Sequence, residues 1–504
     1  MRLSLKLTLV HFICVVVIIL WPTYQVAEAV VLNANRMSMT KKSFIYGADA
    51  ESFAIFPSDF SRWTNLQSVD GKQFSDLITY LGRPVLRLAS MQRWDWRGEN
   101  ETLLLVTSNN YQNNKNTVGY PYFTATQYYD FCKAFQIETI PMLDVRLFYD
   151  SITGTTKLTS DNVSVASQQY AAGYAEFIKN GSYKIAFWEI GNEDYSKDHN
   201  MAPSSYAKIT RAFIDAIVKI EPSARFCIHL NIWRPDWRSW SETVLDNLKG
   251  YEDYISYAAV HYYSESAFSD KIADETINFL RSKGFLKTRL AITEWRHTYL
   301  PDEYDQTFQS ASRYSRYLMF LLRHPEIEVS CVHAFPLFGG LAEWSNGNFW
   351  TSYSNSEPNK RRRDTVGRPR WRVLPFGHAQ RMLIDATRGY SLRDYNENPG
   401  FLSEYLFSKQ SGGYSLVIIN ENSQTQDVEI VIKSENKVKH LSGKELYCPD
   451  PYTLPHDGVY QPWSVIPVSP GVRSDGSTVS TFALSDGVIK ANIRPFSVIS
   501  LDLQ

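Results

Sequence analysis

A chain of 504 residues with 52 basic against 53 acidic side chains is too long for one ordinary domain and too evenly charged for a general nucleic-acid binder. Aromatic residues make up 14% of it, which suits both a large core and a surface that stacks on sugar rings. A barrel of roughly 250 to 350 residues followed by a smaller domain accounts for the length.

Residues 1–29 are not expected to belong to the fold. Arg2 and Lys6 precede an apolar run from Leu7 to Leu20, and Ala27-Glu28-Ala29 supplies the small-x-small pattern at which export signals are cut. The run is shorter than the about 20 residues a spanning helix needs. The expectation is an exported protein, extracellular or periplasmic, whose mature chain begins near Val30 without stable membrane insertion; an uncleaved anchor is the alternative. Cys132, Cys227, Cys331 and Cys448 lie far apart without metal-ligand spacing, so neither a metal nor another cofactor is expected, and at most one disulfide.

From Ser43 onward strand and helix signals alternate. Ser43 to Ala48 is the first predicted strand, and Phe74, Leu77, Ile78 and Leu81 fall at helical spacing before Gly82. Arg83 to Ala89 and Thr139 to Val145 follow as strands, with a helix over Thr126 to Phe135 between them. The fourth strand, Ile185 to Glu193, is apolar until it ends in Asn192-Glu193. A helix over Ser204 to Ile220, capped by a serine and closed by Pro222, leads to strands at Arg225 to Ile232, Ile255 to Tyr263 and Arg289 to Trp295. A helix over Tyr314 to Arg323 precedes an eighth strand, Val329 to Phe335, and a helix over Leu374 to Ala386 ends the pattern. This alternation predicts an α/β fold, a closed (β/α)8 barrel over residues 43–388. No glycine-rich phosphate loop follows a strand, which argues against nucleotide binding.

Beyond residue 388 the period changes to two. Tyr405 to Ser408, Tyr414 to Asn420, Val428 to Lys433 and Pro495 to Leu503 are predicted strands of an antiparallel β-sandwich over residues 389–504, and residues 30–42 are expected to lend it an N-terminal strand.

Two of the barrel strands end in a glutamate, Glu193 and Glu294. In a (β/α)8 barrel the C-terminal strand ends carry the active site, so the two carboxyls form a candidate catalytic pair. Trp188-Glu189-Ile190-Gly191-Asn192-Glu193 resembles the strand-four Asn-Glu signature of the clan A glycoside hydrolases, and Thr293-Glu294-Trp295 resembles their strand-seven nucleophile. His261-Tyr262-Tyr263 is similar to the His-x-Tyr of strand six, and Arg87 resembles a frequent active-site arginine. The trailing sandwich, with Arg494-Pro495-Phe496-Ser497-Val498, resembles the accessory domain of families 39, 51, 79 and 86, so the likeness is specific for the clan rather than for one family.

That resemblance implies retaining hydrolysis, with Glu193 as acid/base and Glu294 as nucleophile about 5 to 5.5 Å apart. Glu193 is expected to have a raised pKa beside ionised Glu294. Asn192 is expected to bind the sugar hydroxyl next to the reacting carbon, Tyr263 to orient Glu294 and Arg87 to keep it ionised, and His261 to line the site. Glu189 is expected to point away from Glu193, because the bend at Gly191 breaks the strand alternation.

Loops at the C-terminal mouth, Asn109 to Tyr122 and Phe338 to Arg370, are expected to cover the site. Trp94, Trp96, Trp233, Trp237, Trp295, Trp344 and Trp350 are candidate stacking platforms. Arg93, Arg97, Arg146, Arg234 and Arg296 follow strands and could form a positive ring that prefers an anionic glycan, such as a sulfated galactan or a uronate polymer, unless nearby acids such as Asp95, Asp144 and Asp236 neutralise them. The partner in every case is a carbohydrate. An arabinofuranosidase- or xylosidase-type exo-hydrolase of hemicellulose, a membrane-anchored exopolysaccharide-processing hydrolase and a barrel that binds glycans without cleaving them are the alternatives.

Overall fold

In the computed structural model the described residues are 29–37, 44–50, 62–88, 96, 124–150, 155–156, 160–197, 199, 201–296, 307–333, 335, 341–346, 367–409, 412–434, 438–448, 464–468 and 480–504. The predicted export signal, the loop Asn109 to Tyr122, much of the segment Phe338 to Arg370, and Arg93, Trp94, Asp95, Arg97 and Trp350 lie outside them.

Eight parallel strands close into a barrel. They are β2 (Ile45–Asp49), β3 (Val85–Leu88), β4 (Thr139–Leu143), β5 (Trp188–Ile190), β6 (Phe226–His229), β7 (Ile255–Tyr262), β8 (Arg289–Trp295) and β9 (Ile327–Val332). The number β1 belongs to Val30–Asn33, outside the barrel. The strands are apolar almost throughout, as a sheet covered on both faces requires. Around them lie α1 (Val69–Tyr80), α2 (Ala125–Ala134), α3 (Ser160–Gly181), α4 (Pro203–Ile220), α5 (Pro235–Asn247), α6 (Asp270–Ser282), α7 (Phe308–Arg323) and α8 (Pro375–Thr387). The alternation anticipates the strands and five of the helices; α3, α5 and α6 are not among them. The start of α4 differs from expectation in detail: Pro203 occupies its first turn and Ala202 caps it without a side-chain bond, a favoured place for a residue that lacks an N–H.

The chain beyond α8 builds two sheets. One has the order β12-β13-β14-β20-β16-β17, from Tyr390–Asn396 (β12), Leu402–Lys409 (β13), Tyr414–Asn420 (β14), Val498–Leu503 (β20), Leu441–Tyr447 (β16) and Ser464–Val468 (β17). The other is β1-β15-β19-β18, in which β1 runs parallel to Gln426–Lys433 (β15), followed by Val488–Ile493 (β19) and Thr481–Ser485 (β18). Alternation sorts the side chains of β13: Leu406 joins the core between the two sheets, while Tyr405 and Phe407 pack into the barrel's own hydrophobic cluster. The ion pair of Arg316 on α7 with Glu421, and that of Arg323 with Glu397 at 2.5 Å, tie the same surfaces together. Among the described residues no helix is long and apolar enough to cross a membrane.

Candidate active site

The barrel interior is layered by the two-residue period of its strands. Ile140, Phe187, Cys227, Ala259, Ala291, Val329 and Cys331 form an apolar plug. One inward position further along each strand, polar residues take over: Arg87 follows Val85, Glu189 follows Phe187, His229 follows Cys227, His261 follows Ala259 and His333 follows Cys331. Asp49 stands two beyond Gly47, whose position a larger residue could not occupy, because a Cβ there would lie 2.6 Å from Cys331 Sγ. Glu294 reaches the same layer through an irregularity: the register of β8 against β7 shifts between Ala291 and Glu294. Bulges of this kind re-aim a side chain.

Arg87 is the hub. Its guanidinium is buried and donates from Nε to Glu189 Oε2 at 2.7 Å, from Nη1 to Glu294 Oε1 at 2.6 Å and from Nη2 to Asn192 Oδ1 at 2.6 Å. Asp49 lies 3.7 Å from Nη1 and takes a bond from His333 Nδ1 at 2.8 Å. Because Arg87 takes the Asn192 carbonyl oxygen, the amide NH2 of Asn192 is turned away from the guanidinium.

Burial pushes the Glu189 carboxyl up, but the Arg87 charge and the His229 hydrogen bond more than offset it and hold it at about 2. In the unfolded chain a glutamate titrates near about 4.3. The depressed native value means that this group stabilises the fold above that pH, and that the contribution is lost as pH falls towards 2. The melting temperature should therefore drop between about pH 5 and 2, and Glu189→Gln should flatten that limb; a thermal melt series at stepped pH reads both.

Glu193 and Glu294 meet across His261. Its Nδ1 lies 2.7 Å from Glu193 Oε1 and 3.3 Å from Glu294 Oε2, and its Nε2 lies 3.2 Å from Thr293 Oγ1. One oxygen of each carboxylate and a His261 nitrogen all lie within 4.8 Å of one another. Tyr263 donates its hydroxyl to Glu294 Oε2, and Tyr195 donates to Glu193 Oε1 at 3.4 Å. Glu294 is held well below the usual carboxylate range: burial pushes it up, but His261 and Arg87 outweigh that.

The expectation of a raised Glu193 pKa is corrected. Burial and Glu294 push the carboxyl up, yet the charge and hydrogen bond of His261 prevail and lower it. Burial pulls His261 down, but Glu294 and Glu193 together raise its pKa. Glu193 and His261 share a short hydrogen bond, and each favours the charged form of the other. Two donor groups have a spacing that could hold a metal ion, Glu193-His261-Glu294 and Asp49-Glu294-His333. Both share Glu294, whose charge Arg87 and His261 already balance.

The carboxylate of Glu193 is aimed by a turn rather than by strand alternation. Gly191 has φ +73° and Glu193 φ +52°, a left-handed conformation that costs a glutamate on the order of 1 kcal/mol. Gly191 N donates to Leu143 O at 2.9 Å, and Glu193 N makes a long contact of 3.4 Å to His229 Nδ1. The other ring nitrogen of His229 faces Glu189 Oε1 at 3.0 Å. With Nδ1 accepting, the proton sits on Nε2, and burial keeps this imidazole neutral. Glu189 therefore belongs to the polar layer beneath the pair, contrary to expectation, because two-residue alternation from Phe187 holds until Gly191 breaks it.

Arg87, Asn192, Glu193, His261, Tyr263 and Glu294 come together; four other foreseen contacts do not behave alike. Trp295 is fully buried, the neighbour of Glu294 on the opposite face of β8. It donates to Ser330 Oγ at 2.8 Å and packs on Phe268, Tyr314 and Phe376 at 5.7 to 5.9 Å. Trp344 is fully buried in a hairpin of Ala342–Asn346 (β10) and Pro369–Val373 (β11), against Trp63 and Trp371. Arg146 is buried in a short helical turn, Val145–Phe148, and donates to Asp144 at 3.0 Å. All three are held by protein contacts. Trp233 lies beyond the end of β6, 37% exposed and 5.5 Å from the Tyr262 ring. Trp96 packs on Tyr174 and Phe177 of α3 instead.

Of the arginines expected at the mouth, Arg146, Arg234 and Arg296 fall among the described residues. Arg234 pairs with Asp236 at 3.2 Å and lies over Trp237, and Arg296 is buried. Asp49 and Asp144 are the buried acids that Arg87 could be expected to neutralise, and Asp49 lies beside it; His229, His333 and Tyr195 carry no expectation from the sequence. Asp49, His229 and His333 carried the same signal as the glutamates: a polar residue at the end of an apolar strand.

Comparison with solved structures places this architecture. A family 51 arabinofuranosidase from Xanthomonas axonopodis pv. citri matches with a TM-score of 0.63 at 10% identity, over 94% of this chain and 99% of the other. The fold is that of the clan A glycoside hydrolases. A family 39 β-xylosidase from Caulobacter crescentus gives a TM-score of 0.58 at 12% identity, over 95% of this chain and 100% of its own. A family 30 endoxylanase from Clostridium papyrosolvens C71 gives 0.56 at 13% identity, over 95% and 100%. No family model matches the chain, and no curated protein matches its sequence. At these identities the likeness to the clan is one of fold.

Proposed function

We propose that this chain is a retaining glycoside hydrolase that cleaves O-glycosidic bonds by double displacement. The observation that carries the reading is the approach of Glu193 and Glu294 oxygens to within 4.8 Å. That suits direct attack by one carboxylate, whereas inverting enzymes need roughly 6.5 to 9.5 Å to admit a water.

In the first step Glu294 attacks the anomeric carbon as the glycosidic C–O bond breaks, and the leaving oxygen takes a proton from Glu193. In the second, Glu193 takes a proton from a water whose oxygen attacks the same carbon, and Glu294 leaves. Arg87 and Tyr263 keep Glu294 ionised and oriented, and the amide NH2 of Asn192 is presented to the sugar hydroxyl beside the reacting carbon. Before acid catalysis, His261 returns its proton to Glu193. The basic limb of the rate profile should then lie above about pH 6.5, where His261 loses its proton, and should move to lower pH in His261→Gln. A pH series of kcat/KM on both proteins checks it.

For the substrate, a neutral pentose-bearing glycan has more support than an anionic polymer. The structural neighbours are an arabinofuranosidase, a xylosidase and a xylanase, and Arg146 and Arg234 are paired with acids. The anionic reading now rests on Arg93 and Arg97. Hydrolysis of arabinan, arabinoxylan, xylo-oligosaccharides, agar, porphyran and a uronate polymer in parallel tests it. Cleavage confined to the charged polymers would reverse the choice, and cleavage of none would leave a binding barrel. We propose further that residues 1–29 direct export and are removed, which N-terminal mass determination of the secreted chain tests.

A further inference from the structure

Asp194 follows the acid/base directly and takes no place in the chemistry above. We propose that it is the positioning residue of Glu193, its carboxylate holding the left-handed Gly191–Glu193 turn from beneath so that the acid/base faces His261 and Glu294. The proposal rests on the hydrolase reading and names what sets its geometry.

The Asp194 side chain is fully buried, and its Oδ2 accepts the Asn192 N–H at 2.9 Å. It lies in the concave side of the turn: a Cβ added at Gly191 would stand 1.9 Å from Oδ2 and 3.2 Å from Tyr206 Cε2. Glycine at 191 is thus required twice, for its positive φ and for the room this carboxylate takes. Tyr206, from α4, closes the other side. It donates its hydroxyl to Ile190 O at 2.7 Å and accepts from His229 N at 3.1 Å, so the strand end before the turn is pinned to β6 and α4. What remains to be fixed is the pair of residues that carry the sugar-facing groups, and Asp194 is bonded to the first of them.

The surroundings suit a carboxylate that is placed for structure. Arg146 and Asp144 face it from the turn after β4, Tyr206 from α4, His199 Nδ1 from its own loop at 3.9 Å, and Glu193 adjoins it. Burial pushes the Asp194 carboxyl up to about 7, with Arg146 opposing in part. A carboxyl oxygen accepts the Asn192 N–H in either protonation state, so the clamp persists across neutral pH. Of the buried Arg146–Asp144 pair, Arg146 favours the ionised Asp194 and Asp144 opposes it.

A misaimed acid/base fails where the leaving group needs a proton and is tolerated where it does not, a signature that general loss of stability does not produce. The wild type, Asp194→Ala and Asp194→Asn are to be compared on dinitrophenyl and phenyl α-L-arabinofuranosides, or on the corresponding β-D-xylosides if those are what the wild type cleaves. Asp194→Ala should lose about 10- to 100-fold more kcat/KM on the phenyl than on the dinitrophenyl glycoside, a part of what general acid catalysis contributes. Asp194→Asn, which keeps an oxygen acceptor, should hold the wild-type ratio within about threefold. If the alanine variant does not fold, Asp194→Ser, too short to reach the Asn192 N–H, should show the same dependence on leaving group.

Equal losses on both substrates, unchanged kinetics in the alanine or serine variant, or the leaving-group defect in Asp194→Asn would each overturn the proposal. A wild type that cleaves neither these glycosides nor any polymer of the panel above overturns the hydrolase reading itself, and the clamp with it.

Discussion

Glu294→Gln is expected to lower kcat by on the order of 10⁴-fold or more, because an amide cannot form the glycosyl-enzyme bond. The amide oxygen can keep the Arg87 bond at the Oε1 position while the NH2, at the Oε2 position, donates to a Tyr263 hydroxyl turned from donor to acceptor; Arg87 keeps Glu189, and His261 keeps Glu193. The fold should therefore survive, with a melting temperature within a few degrees of the wild type. Glu193→Ala should behave differently: turnover of activated aryl glycosides should return in part with azide, which needs no general base, and that of poor leaving groups should not. Steady-state kinetics and a thermal melt on each purified variant decide this. A Glu294→Gln enzyme with appreciable activity would move the nucleophile elsewhere.

The second large effect is expected at Arg87. Its guanidinium lies among Glu189, Glu294 and Asp49 with no exposure to water. Arg87→Met leaves those carboxylates buried without their cation, and breaking a buried ion pair by removing one partner costs about 3 to 5 kcal/mol. It also removes one of the charges that hold Glu294 below the usual carboxylate range. The nucleophile's pKa should rise, so the acid limb of the rate profile should move to higher pH, with kcat at neutral pH lower by on the order of 10²-fold. Urea unfolding and a pH series read the two effects separately. A variant of wild-type stability would mean that the three carboxylates are already neutral, and an unmoved acid limb that Arg87 does not hold the charge of Glu294.

The barrel was legible because its strands are apolar from end to end and its helices are amphipathic, and a carboxylate at the end of such a run stands out. Glu193 and Glu294 were visible for that reason, and the resemblance of their flanking residues to a known signature added Asn192, Arg87, His261 and Tyr263. Side-chain direction was harder to see. Trp295 was placed at the site beside Glu294, although neighbours on a strand face opposite ways; it faces the helices and packs on Tyr314 and Phe376. Glu189 was set aside because of the bend at Gly191, although the bend comes after it. The shift of register between Ala291 and Glu294 leaves no mark in a pattern of apolar residues.

Charge balance was least legible of all. A strand-end arginine signals a positive mouth only if its partners are known, and Arg146 and Arg234 have theirs two residues away in Asp144 and Asp236. The lowering of the Glu193 pKa comes from His261, 68 positions distant, and no local pattern announces that pairing. In the sandwich, Tyr390–Asn396, Leu441–Tyr447, Ser464–Val468, Thr481–Ser485 and Val488–Ile493 are not among the predicted strands; Leu441–Tyr447 interrupts its pattern with Gly443, Lys444 and Glu445.

The central claim is that Glu193 and Glu294 act together in a double displacement. Proton NMR of the first-formed product, recorded on a cleaved glycoside before mutarotation equilibrates the anomers, tests it most directly. Retention of the substrate's anomeric configuration is the predicted result, as two successive inversions require. Inversion would contradict it, because it would place a water, rather than Glu294, against the anomeric carbon.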